Sequence, residues 1–236
     1  MQPFPKTTIT EDETCLPWAI SAVRGATVSV ARLAVPSKAR SDFEKACGDF
    51  KKKKLPEAEQ HFRDAIEKYS DYSAAWVMLG QVLQEKGQAK EATDACSHAV
   101  SLDATYLPPY LCLAELSTRG NLWESVLEIS NRALALNPVG DGYAYYYRAM
   151  AYFHLNKMQE AWSSAANAAG IEGDHHEPGL YFLLAQIYDA EGDAVNAVSQ
   201  LKQFLKITND REERDQAQQY LAKLQAQQDP KQQAAK

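Results

Sequence analysis

Small residues return along this chain at a nearly fixed interval, and that interval restricts the fold more than any other feature. Ala58, Ala92, Val126, Ala161 and Ala197 are separated by 34, 34, 35 and 36 residues. Ala65, Ala99, Ala133, Ala168 and Phe204 keep the same spacings, and so do Ala46, Gly80, Ala114, Ala149 and Ala185. Large rings recur with them at Trp76, Tyr110, Tyr145 and Tyr181. A chain with such a period is a stack of similar supersecondary units, each too small to bury its apolar face alone.

The unit reads as two amphipathic helices. Trp76, Leu79, Gly80 and Leu83 lie at helical spacing, and Ala92, Cys96, Ala99 and Val100 mark the inner stripe of a second helix. Between them Glu85-Lys86-Gly87-Gln88 is a turn, with Gly87 suited to a helix C-terminus. The small residues let two backbones approach closely, and the large ones fill the space beside them. Prolines agree. Pro56, Pro109 and Pro178 fall at or near helix starts, where a missing N–H costs little. Pro138 follows the stretch at 134–137, where a second helix should stop. Only 11 Gly and 10 Pro in 236 residues also favour helices over a turn-rich β fold.

Trp76-Val77-Met78-Leu79-Gly80-Gln81-Val82-Leu83 resembles the opening of the tetratricopeptide repeat, a helix–turn–helix unit, with Leu83 in its usual Tyr slot. Tyr181-Phe182-Leu183-Leu184-Ala185-Gln186-Ile187-Tyr188 is similar in kind. The resemblance implies an all-α superhelix (solenoid) of five repeats at 39–72, 73–106, 107–141, 142–175 and 178–211. Several positions depart from the pattern. Asp42 and Asp49 stand where large apolar residues are usual, which weakens the expectation of a first helix there. Arg148 occupies a Leu slot, and Phe204 occupies a small-residue slot, where it should open the local packing. One extra residue precedes the fourth unit and two precede the fifth.

The ends differ in kind. Ala217, Tyr220, Leu221 and Leu224 form an i, i+3, i+4, i+7 stripe in an otherwise polar helix, expected at 212–228 as a cap with one apolar and one wet face. Residues 229–236 read as a frayed tail. Residues 1–38 lack the repeat. Their β-branched run at 26–35 reads as an extended arm packed on the first repeat, or else lying in the protein's own groove. Ser37 is a candidate N-cap for the helix that follows.

The apolar part of the arm is broken by Arg24 and Arg32 and lacks a basic start, unlike a signal peptide. The compartment reads as cytoplasmic as written, with an exported mature form as the alternative if cysteines pair. Cys15, Cys47, Cys96 and Cys112 show no CxxC or Cys/His ligand spacing, which argues against a zinc site. The reading adopted is four reduced thiols acting as small apolar residues. Two pairings stay open: Cys96 with Cys112 on the next helix, and Cys15 with Cys47, tethering the arm.

Chemistry is sparse. No glycine-rich phosphate loop, GxSxG elbow or HExxH motif is present. The expectation is no catalytic residue, no metal and no cofactor. His154, with His175-His176 beside Asp174 and Glu177, is the one region where an enzyme or metal-binding reading could be placed. Lys51 to Lys54 reads as a solvated turn. A formal net charge of -6 argues against non-specific binding to nucleic acid or anionic membrane, which need a basic surface. No apolar run approaches the roughly 18 residues of a membrane span.

What remains is the concave face that stacked helix pairs make, lined by first helices. Stepping round from the buried slots places Phe43, Phe50, Val77, Gln81, Leu111, Glu115, Tyr143, Tyr146, Met150, Phe182 and Gln186 there. That apolar and aromatic surface with scattered amides and acids suits a peptide segment of another protein. Tyr145 and Tyr147 are expected to pack between repeats instead. The expected function is a non-enzymatic protein–protein interaction module, an adaptor, scaffold or co-chaperone-like protein. The alternative is a structural unit self-assembling through arm or cap into a homo-oligomer. Some similar tetratricopeptide domains hold the carboxylate of chaperone tails with Lys, Asn and Arg on first helices. The matching slots here hold Phe43, Cys47, Val77, Met78, Gln81, Leu111 and Cys112, so that mode is not expected.

Overall fold

The computed structural model describes Cys15 and residues 34–137, 142–172 and 178–228. The extended arm, Pro138, His175-His176 and the tail lie outside the described residues. Among the described residues eleven helices follow one another: α1 (Ser37–Lys51), α2 (Leu55–Lys68), α3 (Ser73–Glu85), α4 (Ala89–Leu102), α5 (Pro108–Arg119), α6 (Trp123–Leu136), α7 (Gly142–His154), α8 (Met158–Glu172), α9 (Pro178–Ala190), α10 (Ala194–Ile207) and α11 (Arg211–Gln228). No strand occurs among the described residues. The class is all-α, as the repeat requires. The chain divides into two compact units, Met1–Cys112 and Leu113–Lys236.

Each turn that separates the two helices of a pair carries one residue in the left-handed region. These are Lys53, Gly87, Asn121, Asn156 and Gly192, with φ of 58°, 78°, 54°, 57° and 80°. Their spacing is that of the alanine series. The geometry is a Schellman C-cap: the N–H after the left-handed residue donates five residues back, as from Gln88 to Leu83 O at 2.8 Å and from Asp193 to Tyr188 O at 2.8 Å. The capping hydrogen bonds satisfy carbonyls that a helix end would otherwise leave unpaired. Glycine and asparagine tolerate this conformation best, so Lys53 is the one residue of the series poorly suited to it. Ser37 is the first residue of α1 rather than its cap; Pro36 holds the cap position and no side chain bonds there.

In the first unit, α2 buries Ala58, Phe62 and Ala65 along one stripe and keeps its charges on the other faces. It packs against α1 and α3. Phe43 meets Phe62 edge-on at 5.5 Å and Tyr72 at 5.0 Å. The first helix forms despite its two aspartates because both are paired. Buried Asp42 bonds Lys68 and lies 3.4 Å from Lys45 Nζ, and the Lys68 hydrogen bond holds its pKa below the usual carboxylate value against the opposing cost of burial. Asp49 Oδ2 lies 2.9 Å from His61 Nδ1. The large rings of the first helices reach back to the preceding loop: Trp76 Nε1 donates to Ser70 O at 2.8 Å, and Tyr110 Oη to Ala104 O at 2.9 Å.

Both cysteine pairs are disulfides, Cys15–Cys47 and Cys96–Cys112, and no described cysteine is free. The reading of four reduced thiols is therefore corrected. The physical reason is proximity: the small-residue slots bring α4 and α5 close enough for Cys96 and Cys112 to stand 6.3 Å apart at Cα. Gly80 makes room for the second bridge. A Cβ on Gly80 would collide with Cys96 Sγ and sit 3.2 Å from Ala92 O. Gly80→Ala is thus expected to destabilise the bridged protein, since overpacking of about 1–3 kcal/mol exceeds the ~1 kcal/mol that Ala gains over Gly inside a helix. In a Cys96→Ala/Cys112→Ala background the same change should become neutral or stabilising. Urea unfolding of the four proteins checks this; a stabilised, bridged Gly80→Ala protein would refute the close contact.

In the second unit, α7 packs against α6 and α8, and α9 against α8 and α10. Ala149, Ala161, Ala165, Ala168, Leu180, Leu183 and Ile187 form one core. Ala185, Ala197, Leu201, Phe204, Ala217 and Leu224 form a second, with Tyr220 and Leu221 against it. The stripe on α11 is thus the face turned to the core. Arg148, in its Leu slot, donates from Nε to the buried hydroxyl of Ser164 at 3.1 Å and lies 4.7 Å from the centre of the Tyr145 ring.

Candidate functional site

The second unit contains a hollow of about 200 Å³ built from α7, α9, α10 and α11. Its deepest lining is buried Leu183 and Phe204, and half-buried Tyr146, Met150 and Phe182 flank these. The more polar Gln186 and the exposed His154, Glu213 and Gln216 complete it. Each group is there for a local reason. Tyr146, Met150 and His154 are one helical turn apart on α7, and Phe182 and Gln186 are one turn apart on α9. Gly179, in the first turn of α9, lies against the hydroxyl end of Tyr146, where a Cβ would collide with Tyr146 Oη.

Phe204 is the residue that makes the hollow differ from the packing of other units. It stands where they carry alanine, meets Phe182 at 5.4 Å, and Phe182 in turn meets Tyr220 on α11 at 6.0 Å. Tyr220 Oη donates to Asp189 Oδ2 at 2.7 Å, tying α11 to α9. Burial, and then the Asp189 carboxylate, push the Tyr220 hydroxyl pKa well above its usual value, so it keeps its proton.

The start of α11 is fixed by polar contacts. Glu213 N–H donates to Asp210 Oδ1 at 2.9 Å, the N-terminal half of a capping box. Buried Thr208 donates from Oγ1 to Glu213 Oε2 at 2.7 Å. Arg214 Nη1 donates to Leu205 O and Thr208 O at 2.8 and 2.9 Å, pairing carbonyls at the end of α10. Glu213 therefore has a hydroxyl partner and, among the described residues, no cationic one. His154 stacks on Trp123 with centroids 3.8 Å apart and a 7° tilt, and desolvation lowers its pKa, which keeps the ring neutral at pH 7. No group of three or more His, Cys, Asp or Glu that could hold a metal occurs among the described residues.

Of the residues the sequence placed on the concave face, Tyr146, Met150, Phe182 and Gln186 meet in this hollow. Tyr143 is half-buried on the same helix, Glu115 accepts from Arg119 Nη2 at 3.2 Å on α5, and Phe50 is half-buried on α1 with Lys53 Nζ 5.6 Å from its ring centre. Phe43, Val77, Gln81 and Leu111 are buried, at 4%, 0%, 6% and 0% exposure. Tyr147 is buried and Tyr145 half-buried. Sequence reasoning did not assign Gly179, Leu183, Glu213 or Gln216 to a site. The Asp210–Glu213 spacing could have drawn attention to Glu213, but only as a helix start.

The tetratricopeptide repeat family matches residues 73–106 and 178–211, the second and fifth helix pairs. The chain carries tetratricopeptide repeats. The solved structure of TTC0263, a thermophilic tetratricopeptide protein in Thermus thermophilus, is 18% identical and covers 79% of this chain and 98% of its own, with a TM-score of 0.63. PilF of Pseudomonas aeruginosa is 18% identical over 80% of this chain and 86% of its own, at 0.64. YrrB, described as a tetratricopeptide protein with an unusual peptide-binding site, is 19% identical over 81% and 98%, at 0.54. At such identities these likenesses establish the fold. No curated protein matches the sequence. The tetratricopeptide fold is a protein-interaction fold, and no described helix of this chain is long and apolar enough to cross a membrane.

Proposed function

We propose that the chain is a non-enzymatic interaction module that holds a peptide segment of another protein against the first helices of its repeats. The observation that carries this is the meeting of Tyr146, Met150, Phe182 and Gln186, from two successive first helices, in one open hollow. Aromatic anchors of this kind supply a large share of interface energy, and an apolar hollow with an amide beside it both attracts and orients a peptide. The peptide-binding site described for YrrB supports the reading by analogy of fold. In this proposal Glu115 and Tyr143, of the same unit, extend the contact, and Phe50 offers a separate one on the first unit.

A displayed library of random peptides, panned on the whole protein, tests this. Clones retained by the wild type are expected to be lost on Tyr146→Ala/Phe182→Ala, with helical content by circular dichroism unchanged. Gln186→Lys changes the same face without touching the core and is expected to weaken the same clones. Retention by both variants would show that the partner face lies elsewhere.

A further inference from the structure

We infer that the hollow takes one aromatic or large aliphatic side chain of a partner peptide whose neighbouring residue is lysine or arginine. This rests on the peptide-binding reading and names what that site selects. Size sets the first half. An apolar cavity of about 150 Å³ lined by Leu, Ile and Phe holds a benzene ring, so about 200 Å³ over Leu183 and Phe204 suits one ring or one branched aliphatic group rather than a run of residues. The surrounding Tyr146, Met150 and Phe182 present ring edges, ring faces and a thioether, all of which favour an aromatic guest.

Charge sets the second half. Among the described residues that line the hollow, Glu213 is the one carboxylate and stacked His154 the one imidazole. Glu213 is held in place by Thr208 at one oxygen and by its own N–H on Asp210, while its other oxygen faces no cation among the described residues. Arg214, the adjacent base, is turned onto the carbonyls of Leu205 and Thr208. A carboxylate held by Thr208, with no cation beside it among the described residues, complements a cation next to an apolar anchor and disfavours an acidic residue there. Gln186 and Gln216 can bond the peptide backbone between the two.

Peptides selected from the random library are expected to share an aromatic or large aliphatic residue adjacent to Lys or Arg. Replacing the apolar residue by Ala should weaken a selected peptide by about tenfold or more. Replacing the base by Ser should weaken it by about threefold at low salt, and Glu213→Gln, which keeps a partner for Thr208, should abolish that threefold difference. Selected peptides that depend on Tyr146 and Gln186 but lack the apolar–basic pair would overturn this inference alone. A library yielding no binder would overturn the peptide-binding reading with it. Concentration-dependent dimerisation in sedimentation, broken by Gln186→Lys, would assign the hollow to a second copy of the chain and overturn it too.

Discussion

Removing the Cys96–Cys112 bridge by Cys96→Ala/Cys112→Ala is expected to lower the unfolding free energy by about 3 kcal/mol. The bridge closes a loop with a sequence separation of 16 residues, and opening it returns that much conformational freedom to the unfolded chain. Both cysteines are fully buried, so Ala adds a small packing loss rather than an exposed polar group. The bridge also links the second helix of one pair to the first helix of the next, so its loss should loosen the joint between pairs. For a chain of this size the midpoint of thermal unfolding should fall by roughly 6–12 °C. Calorimetry of the double variant beside the wild type checks it, with thiol titration of the denatured wild type as control. A change below about 1 kcal/mol, or four titratable thiols, would mean that the pair is not joined. Bridges of this kind persist in oxidising surroundings.

Phe204→Ala is expected to cost about 3–5 kcal/mol, although it installs the residue that the repeat carries at this slot elsewhere. The alanine of Ala65, Ala99, Ala133 and Ala168 is right where a neighbouring pair nests closely. At Phe204 the neighbour is α11, set off by the ring itself and by Phe182 and Tyr220. Alanine would leave a void beneath the hollow unless α11 moved inward, and the Tyr220–Asp189 hydrogen bond resists that movement. Urea unfolding measures the loss. A near-zero change would mean that the last pair can close like the others, and the hollow would then vanish with it.

The fold was legible in the sequence because nesting imposes a period that alanine cannot hide. Every residue of the series Ala58, Ala92, Val126, Ala161 and Ala197 is fully buried. The first helix was underestimated because Asp42 was read as a missing apolar residue. Its charge is tolerated only through Lys45 and Lys68, the second of which lies 26 residues away and carries no local signal. The disulfides were visible as possibilities but not as facts, since spacing does not reveal whether two cysteines face each other.

The candidate site was half legible. Helical phase puts Tyr146, Met150, Phe182 and Gln186 on one side of their helices, and the four line one hollow. The same phase argument takes Val77 and Leu111 to the surface, whereas the structure encloses them, because α3 and the start of α5 are buried on nearly every face rather than on one stripe. Glu213 comes from an element outside the repeat, where no periodic rule applies.

The left-handed turns have a consequence for how such a chain can change length. Within a pair, from Ala46 to Ala65, Gly80 to Ala99, Ala114 to Ala133, Ala149 to Ala168 and Ala185 to Phe204, the separation never varies. All the drift lies between one pair and the next. An insertion inside a helix would rotate everything beyond it by about 100° and turn the wrong face inward, whereas lengthening a connector adds only the slowly growing entropy of a longer tether, about 0.6 kcal/mol per doubling. Connectors are therefore the joints at which foreign sequence could be spliced in while the hairpins on either side keep their shape.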